Sequence, residues 1–271
     1  MKNTLILSAL VLLLTSCSKY QINVLSSNNI KKDPDNGKFV TENDSVKITY
    51  SFFGRNAPIN LDVYNKLNEP LYIDWQRSAF ITGDKAVSYA SDKVYITGDV
   101  SGTSIGNKSV SYSSGSIDAV ATLPKSVVFI PPHTHVNNTL LEVTSQFVTY
   151  IPDNKFTKKE IPSLSISGTS LVNIAEFGTD QSPLNFRSYL SLYVMDNNVP
   201  KYMAYEHNFF VSKLINTSEE PANFEFSQVR RGDYFYTSKA TAGGQVATGV
   251  GIAAVVVGVA ALDAKHPETA K

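Results

Sequence analysis

One cysteine in 271 residues, no excess of either charge, and no long amphipathic run at helical spacing are the first things this chain lacks. Each shortage removes a class of function. With Cys17 the lone thiol, no disulfide can close within the chain, and a zinc site built on several cysteines is excluded. Lys+Arg and Asp+Glu both number 24, so the formal charge is zero and no basic field draws in nucleic acid. A phosphate-cradling loop would need a Gly-Lys-Ser/Thr ending that opens a helix, and Gly106-Asn107-Lys108-Ser109 does not supply it. His133 and His135 stand two apart, as two metal ligands on an extended chain would. His207 and His266 lie in no ligand spacing to them, so the pair reads as turn histidines, with no metal or cofactor. The carboxylates Asp74, Glu142 and Glu206 occur singly, and no spacing couples them as acid and base.

What is present begins at the amino terminus. Lys2 supplies a positive start, Leu5 to Leu14 an apolar run, and Leu14-Thr15-Ser16-Cys17 a small-residue cleavage site ending in cysteine. That ending resembles a bacterial lipobox. The resemblance implies a diacylglyceryl thioether on Cys17, cleavage after Ser16 and acylation of the new amino group, whereas an ordinary secretory signal is the competing reading. Two or more acyl chains anchor stably where one is marginal. Removal of residues 1–16 from the 271 leaves 255, enough for a real core, and the 42% apolar and 11% aromatic content is that of a globular chain.

Residues 17–38 are poor in apolar side chains and hold Asn28-Asn29, Lys31-Lys32 and Asp33-Pro34-Asp35-Asn36-Gly37, which predicts a lipidated tether. Some lipoproteins of the Bacteroidota carry an acidic surface-export signal just after the cysteine. Here Ser18-Lys19-Tyr20-Gln21 stands there, which by that resemblance favours the periplasmic side of the outer membrane.

Period-two alternation then dominates. Val46, Ile48, Tyr50 and Phe52 predict one half-buried strand, Ile59, Leu61 and Val63 a second, and Leu71, Ile73 and Trp75 a third. The lone tryptophan on a central strand resembles the buried Trp of immunoglobulin-like sandwiches, without the flanking cysteines of antibody domains. Gly83-Asp84 reads as a tight turn, and Asn197-Asn198 as the two-residue turn of a long hairpin from Arg187 to Ile215. Gly98 to Ser116, rich in glycine and serine, reads as an exposed excursion, and Leu140 to Ile151 as one long strand. Arg231-Gly232-Asp233 matches the integrin-binding tripeptide, and Asp44-Ser45-Val46 resembles the Bacteroidota O-glycosylation sequon, with Ser45 as acceptor.

No charged residue falls between Lys239 and Asp263. Gly243, Ala247 and Gly251, then Ala254 and Gly258, are four apart, a small-residue pattern that lets helices approach closely in lipid. A helix over residues 242–262 would measure about 31 Å, enough to cross a hydrocarbon core of about 30 Å. A hydrophobic helix docked on the sandwich and a flexible tail are the other readings, because five glycines weaken a helix in water.

The expected architecture is therefore all-β: an immunoglobulin-like sandwich over 39–238, a signal peptide at 1–16, a hydrophobic membrane-associating segment at 239–263 and a polar tail at 264–271. The lipobox and this organisation resemble the uncharacterised envelope lipoproteins of the Bacteroidota, which implies a location and no activity. Two functions follow: a non-enzymatic lipid-anchored protein that binds a protein or glycan partner, self-association being one role of the tail, or an envelope hydrolase acting on glycan or peptide.

Overall fold

The computed structural model describes residues 18–90, 94–106, 109–121, 126–165 and 167–240. Cys17, Gly243, Ala247, Gly251, Ala254 and Gly258 lie outside them, as do the expected signal peptide and nearly all of the C-terminal segment. Among the described residues no helix is long and apolar enough to cross a membrane.

The chain is all-β. Its strands are β1 (Ser18–Ser26), β2 (Lys31–Lys32), β3 (Phe39–Glu42), β4 (Val46–Ser51), β5 (Gly54–Arg55), β6 (Pro58–Asn65), β7 (Leu71–Thr82), β8 (Lys85–Ser88), β9 (Val94–Gly106) and β10 (Ser109–Ala121). They continue with β11 (Val127–Ile130), β12 (His135–Glu142), β13 (Thr157–Pro162), β14 (Thr169–Glu176), β15 (Asn185–Asp196), β16 (Val199–Thr217) and β17 (Tyr234–Ala240). A single helical turn, α1 (Glu225–Gln228), precedes β17. The larger sheet runs β11-β7-β15-β16-β1-β17-β5, with β8 added on β7 and the β13-β14 hairpin added on β16. The smaller runs β12-β6-β4-β3-β2, and β9 and β10 form a two-stranded sheet of their own.

Alternation explains the main core. On β4 and β6 the residues Val46, Ile48, Tyr50, Ile59, Leu61 and Val63 are buried while their neighbours stay half-exposed. They meet Leu71, Ile73, Trp75, Leu190, Leu192 and Phe209 of the larger sheet in one continuous cluster, which makes the two sheets a packed pair of layers. At its centre Phe39, Tyr50, Phe52, Phe186 and Phe209 interlock, with Phe52 and Phe209 edge-to-face at 4.9 Å between ring centroids. Each such ring contributes roughly 1.5–3 kcal/mol through burial. The long hairpin closes at Asn197 and Asn198 with φ of 51° and 65°, the two positive values that a primed turn requires. Gly83 turns β7 into β8 with φ of 58°.

A second, smaller core lies on the other face of the larger sheet. Ile22, Val172 and Ile215 are covered there by Phe224 and Phe226, with Phe226 stacked on Tyr234 at 4.5 Å. One helical turn and its flanking bend suffice to cover this patch, and that is why the sequence shows no longer helical period here.

Three expectations are corrected. Residues 18–38 do not form a tether: Ser18–Ser26 is β1, paired along β16 from Tyr20↔Thr217 to Ser26↔Phe210, with Gln21 to Leu25 all buried. Gln21 fits a buried position because a partner awaits it: it donates to the Val148 carbonyl and accepts from the Val148 N–H at 2.7 Å. The sheeted region accordingly starts at Ser18, well before residue 39. Gly98 to Ser116, expected as an excursion without strands, has residues 98–106 and 109–116 in strands β9 and β10, which among the described residues pair only with each other. Leu140 to Ile151 is not one strand: β12 ends at Glu142, and after Thr144 the backbone leaves the ladder to meet Gln21.

Candidate functional site

The sites singled out in sequence scatter over the fold. His133 sits in a turn at φ of 54° and meets Asn68 at 2.8 Å, while His135 on β12 meets Asp62 at 2.8 Å. No group of three or more His, Cys, Asp or Glu among the described residues is placed to hold a metal. The carboxylates have separate partners: Asp74 with Arg77, Glu142 with Asn56, Glu206 with Arg187. Ser45 occupies the turn between β3 and β4, its N–H held by the Asn43 side chain at 2.9 Å. The Arg231-Gly232-Asp233 tripeptide is folded inward. Asp233 is 1% exposed and paired with Lys32 at 3.1 Å and Arg231 at 3.0 Å, so its carboxylate is a structural anchor and not an offered ligand.

A groove of about 610 Å³ crosses the outer face of the smaller sheet, lined by Lys38, Lys47, Asp62, Tyr64 and His135 among others. It is shallow, carries both charges, and consists of the solvated alternate positions of β3, β4, β6 and β12 together with Asp33, Asn36 and Lys38 of the loop before β3. Nothing in it converges on a reacting centre.

The distinctive surface is on the larger sheet, on the face turned away from the main core. Four neighbouring strands place an aromatic side chain there in register: Phe129 on β11 opposite Tyr72 on β7, Tyr72 opposite Tyr193 on β15, Tyr193 opposite Tyr202 on β16. Ring centroids follow at 5.6, 4.8 and 5.2 Å, an unbroken row across the sheet. Tyr72 and Tyr193 stack with their planes only 8° apart, so their faces are spent on each other and what they offer outward is edges and hydroxyls. Phe129 and Tyr202 remain 50% and 43% exposed, and Val127 and Met195 on the same face are exposed beside them. Burial first, then the phenols of Tyr202 and Tyr72 and the Asp74 carboxylate, raise the Tyr193 pKa, keeping it a neutral hydroxyl donor.

A bulge supplies the charged member. Five residue steps of β7, Asp74 to Ala79, oppose two of β15, Ser191 to Tyr189, so the extra residues must leave the ladder. The serine Oγ of Ser78 pins the excursion, donating to the Asp74 carbonyl at 2.6 Å and accepting from the Ser191 N–H at 2.9 Å. Asp74, 8% exposed, accepts from the Arg77 N–H at 3.1 Å and pairs with its guanidinium. Arg77 is thereby swung over the end of the row, its guanidinium carbon 4.6 Å from the Tyr202 ring centroid.

Sequence reasoning missed this face. Its members are separated by up to 130 residues and each looks like an ordinary outward position; the only signal was that the outward alternates of three strongly apolar strands, Tyr72, Phe129 and Tyr193, are aromatic and not polar. A chemistry of reaction is absent from the row, while hydroxyls, aromatic edges and one oriented guanidinium are what a recognition surface uses. Comparison with protein-family models, with curated proteins and with solved structures finds no match for this chain.

Proposed function

We propose that this chain is a non-enzymatic, lipid-anchored protein of the bacterial envelope, on the periplasmic side of the outer membrane, whose sandwich binds a protein partner through the aromatic row. The observation that carries this reading is the in-register Phe129, Tyr72, Tyr193 and Tyr202 with Arg77 fixed over the last ring. Exposed, contiguous aromatic side chains are costly to leave in water and mark interaction surfaces. Tyrosine and arginine are also the residues that dominate binding energy at protein interfaces. A glycan would stack on open ring faces, and here the faces of Tyr72 and Tyr193 are already used by each other. That favours a protein over a glycan.

Anchoring rests on the Leu14-Thr15-Ser16-Cys17 box, with residues 242–262 as a second membrane contact whose small positions, Gly243, Ala247, Gly251, Ala254 and Gly258, admit a neighbouring helix or a second copy. An immunoglobulin-like architecture for the sandwich has its support in Trp75, buried between the layers against Tyr89. The binding reading is preferred over a hydrolase because Asp74, Glu142 and Glu206 are each engaged with a different partner.

The test is photo-crosslinking of the native protein in membranes, with the crosslinker at Tyr202 or, as control, at Lys38 on the other sheet. One identified protein captured from Tyr202 alone, with affinity lost at least about tenfold in Tyr193→Ala or Arg77→Ala, supports the reading. Equal capture from both positions, or glycan binding unchanged by these variants, overturns it.

A further inference from the structure

The strand ends define one end of the sandwich, and that end carries exposed leucines. β1 starts at Ser18 beside the last residues of β16, since Tyr20 pairs with Thr217 and Gln21 with Asn216. On its other side β17 runs antiparallel to it. The Leu25 N–H donates to the Asp233 carbonyl at the start of β17, and the Tyr20 and Tyr236 rings meet at 6.5 Å toward its finish. Ser18 and Lys239 therefore lie on adjacent strands at the same end of the larger sheet. The β13-β14 hairpin points the same way. Asn173 pairs with Asn216, the residue that also faces Gln21, so Leu171 lies level with Lys19 and the turn at 163–168 projects at least as far. Two strand steps, roughly 10 Å, separate it from β1. Leu164 in that turn and Leu171 on β14 are each 64% exposed, the most exposed leucines of the described residues.

We infer that this end of the sandwich lies directly on a lipid bilayer and that Leu164 and Leu171 enter its interface. The inference rests on the proposal that Cys17 is acylated, and it follows from the missing tether. With β1 beginning at the next residue, Ser18, one residue of chain, about 3.5 Å, separates the acylated position from the sheet. On the adjacent strand, β17 ends at Ala240, where the charge-free stretch of the sequence begins. No spacer among the described residues holds the body away from the membrane, so an exposed apolar turn at this end must either meet lipid or stay in water at full hydrophobic cost. The charged groups of the same end are of both signs, Lys19, Lys239, Glu160, Glu219 and Glu220. The contact is accordingly apolar and does not depend on anionic headgroups. It also fixes orientation: the Asn197-Asn198 turn lies at the far end of β16, so the aromatic row is carried toward the aqueous side.

The chain's only cysteine is the one that would carry the lipid, so a single introduced thiol takes a probe uniquely. The full-length lipidated protein, with Leu164→Cys, Leu171→Cys or Met195→Cys labelled by an environment-sensitive fluorophore, is reconstituted in vesicles of phosphatidylethanolamine with and without phosphatidylglycerol. Sedimentation reads attachment, and a quencher carried on the lipid reads depth. The expected result is vesicle attachment in both compositions, with quenching and a blue shift at 164 and 171 and neither at 195. Attachment with 164 and 171 as water-exposed as 195 overturns the bilayer contact and leaves the anchor standing. Absence of the chain from the vesicle pellet overturns both.

Discussion

Acid should unfold this protein through one buried imidazole. His207 on β16 is 5% exposed, with its Nδ1 3.1 Å from Tyr50 Oη and its ring edge-to-face with Tyr50 at 5.4 Å. Tyr50 in turn lies 3.2 Å from Ser188 Oγ, which accepts from Tyr89 Oη at 2.9 Å, so the imidazole ends a chain of neutral hydroxyls with no carboxylate among its partners. Burial raises both tyrosine pKa values and lowers that of His207 from 6.5 to about 4. Protonation would place a positive charge on a ring whose hydrogen-bonding neighbour is a neutral phenol, in a site that cannot solvate that charge. Below pH 6.5 the unfolded chain takes up a proton that the folded chain refuses, so stability is complete above the unfolded value and falls as pH drops from about 6.5 to about 4. At 1.36 kcal/mol per pKa unit the loss reaches about 3 kcal/mol, and partial solvent access lowers this toward about 2. Urea unfolding at steps from pH 7.5 to 4, for the wild type and His207→Phe, isolates it, because the carboxylates common to both cancel in the difference. The variant starts lower, having removed the Nδ1 partner of the Tyr50 hydroxyl, and the wild-type advantage should shrink by about 2–3 kcal/mol across that range. Two profiles that stay parallel from pH 7.5 to 4 would refute the reasoning, as would an NMR titration placing the His207 ring near 6.5.

Other positions give sharper signs. Gly37 has φ of 68°, and a Cβ there would fall 2.0 Å from Asp233 Oδ1, so Gly37→Ala must displace a buried ion pair and should cost at least about 3 kcal/mol in urea unfolding. Gly83→Ala, at φ of 58° with open space around it, should cost only about 1 kcal/mol, and equal losses for the two would mean that the Asp233 contact is unimportant. The Thr237 hydroxyl is buried with no hydrogen-bond partner among the described residues, so Thr237→Val should stabilise by about 1 kcal/mol in urea unfolding, and a loss of stability would show that the hydroxyl is bonded in solution. Cys17→Ser should abolish incorporation of labelled fatty acid in cells, and retained label would remove the anchor from the proposal.

What the sequence revealed and what it concealed separate along a physical line. Alternation reports one thing, which side of a strand avoids water, and wherever a strand has one buried face, as β4 and β6 do, the pattern and the structure coincide residue by residue. Turn chemistry is equally local, and Asn197-Asn198 and Gly83 needed nothing distant to be read. β1 failed that test because it buries Gln21 and Asn23, and Gln21 is satisfied there by Val148 and Asn216, residues more than a hundred positions later. A segment whose polar groups are satisfied tertiarily has the composition of a tether. The aromatic row failed for the complementary reason. Tyr72, Phe129, Tyr193 and Tyr202 come together only through the strand order β11-β7-β15-β16, and Arg77 reaches them only through a bulge that no periodicity announces. Both failures concern groups whose role depends on a neighbour strand, and both changed the functional proposal: the lost tether would bring an acylated Cys17 against the fold, and the row supplies the proposed recognition surface at the opposite reach of the same sheet. A Ser78→Ala variant probes the second link without touching any ring. The lost Oγ bonds to the Asp74 carbonyl and the Ser191 N–H should loosen the bulge, at a cost of about 1–3 kcal/mol in stability for the amide left unpaired, and should free Arg77 from Tyr202. Partner capture from Tyr202 should then weaken while vesicle attachment is unchanged. If capture is as strong as in the wild type despite the lowered stability, the oriented guanidinium has no part in recognition and the row alone must carry it.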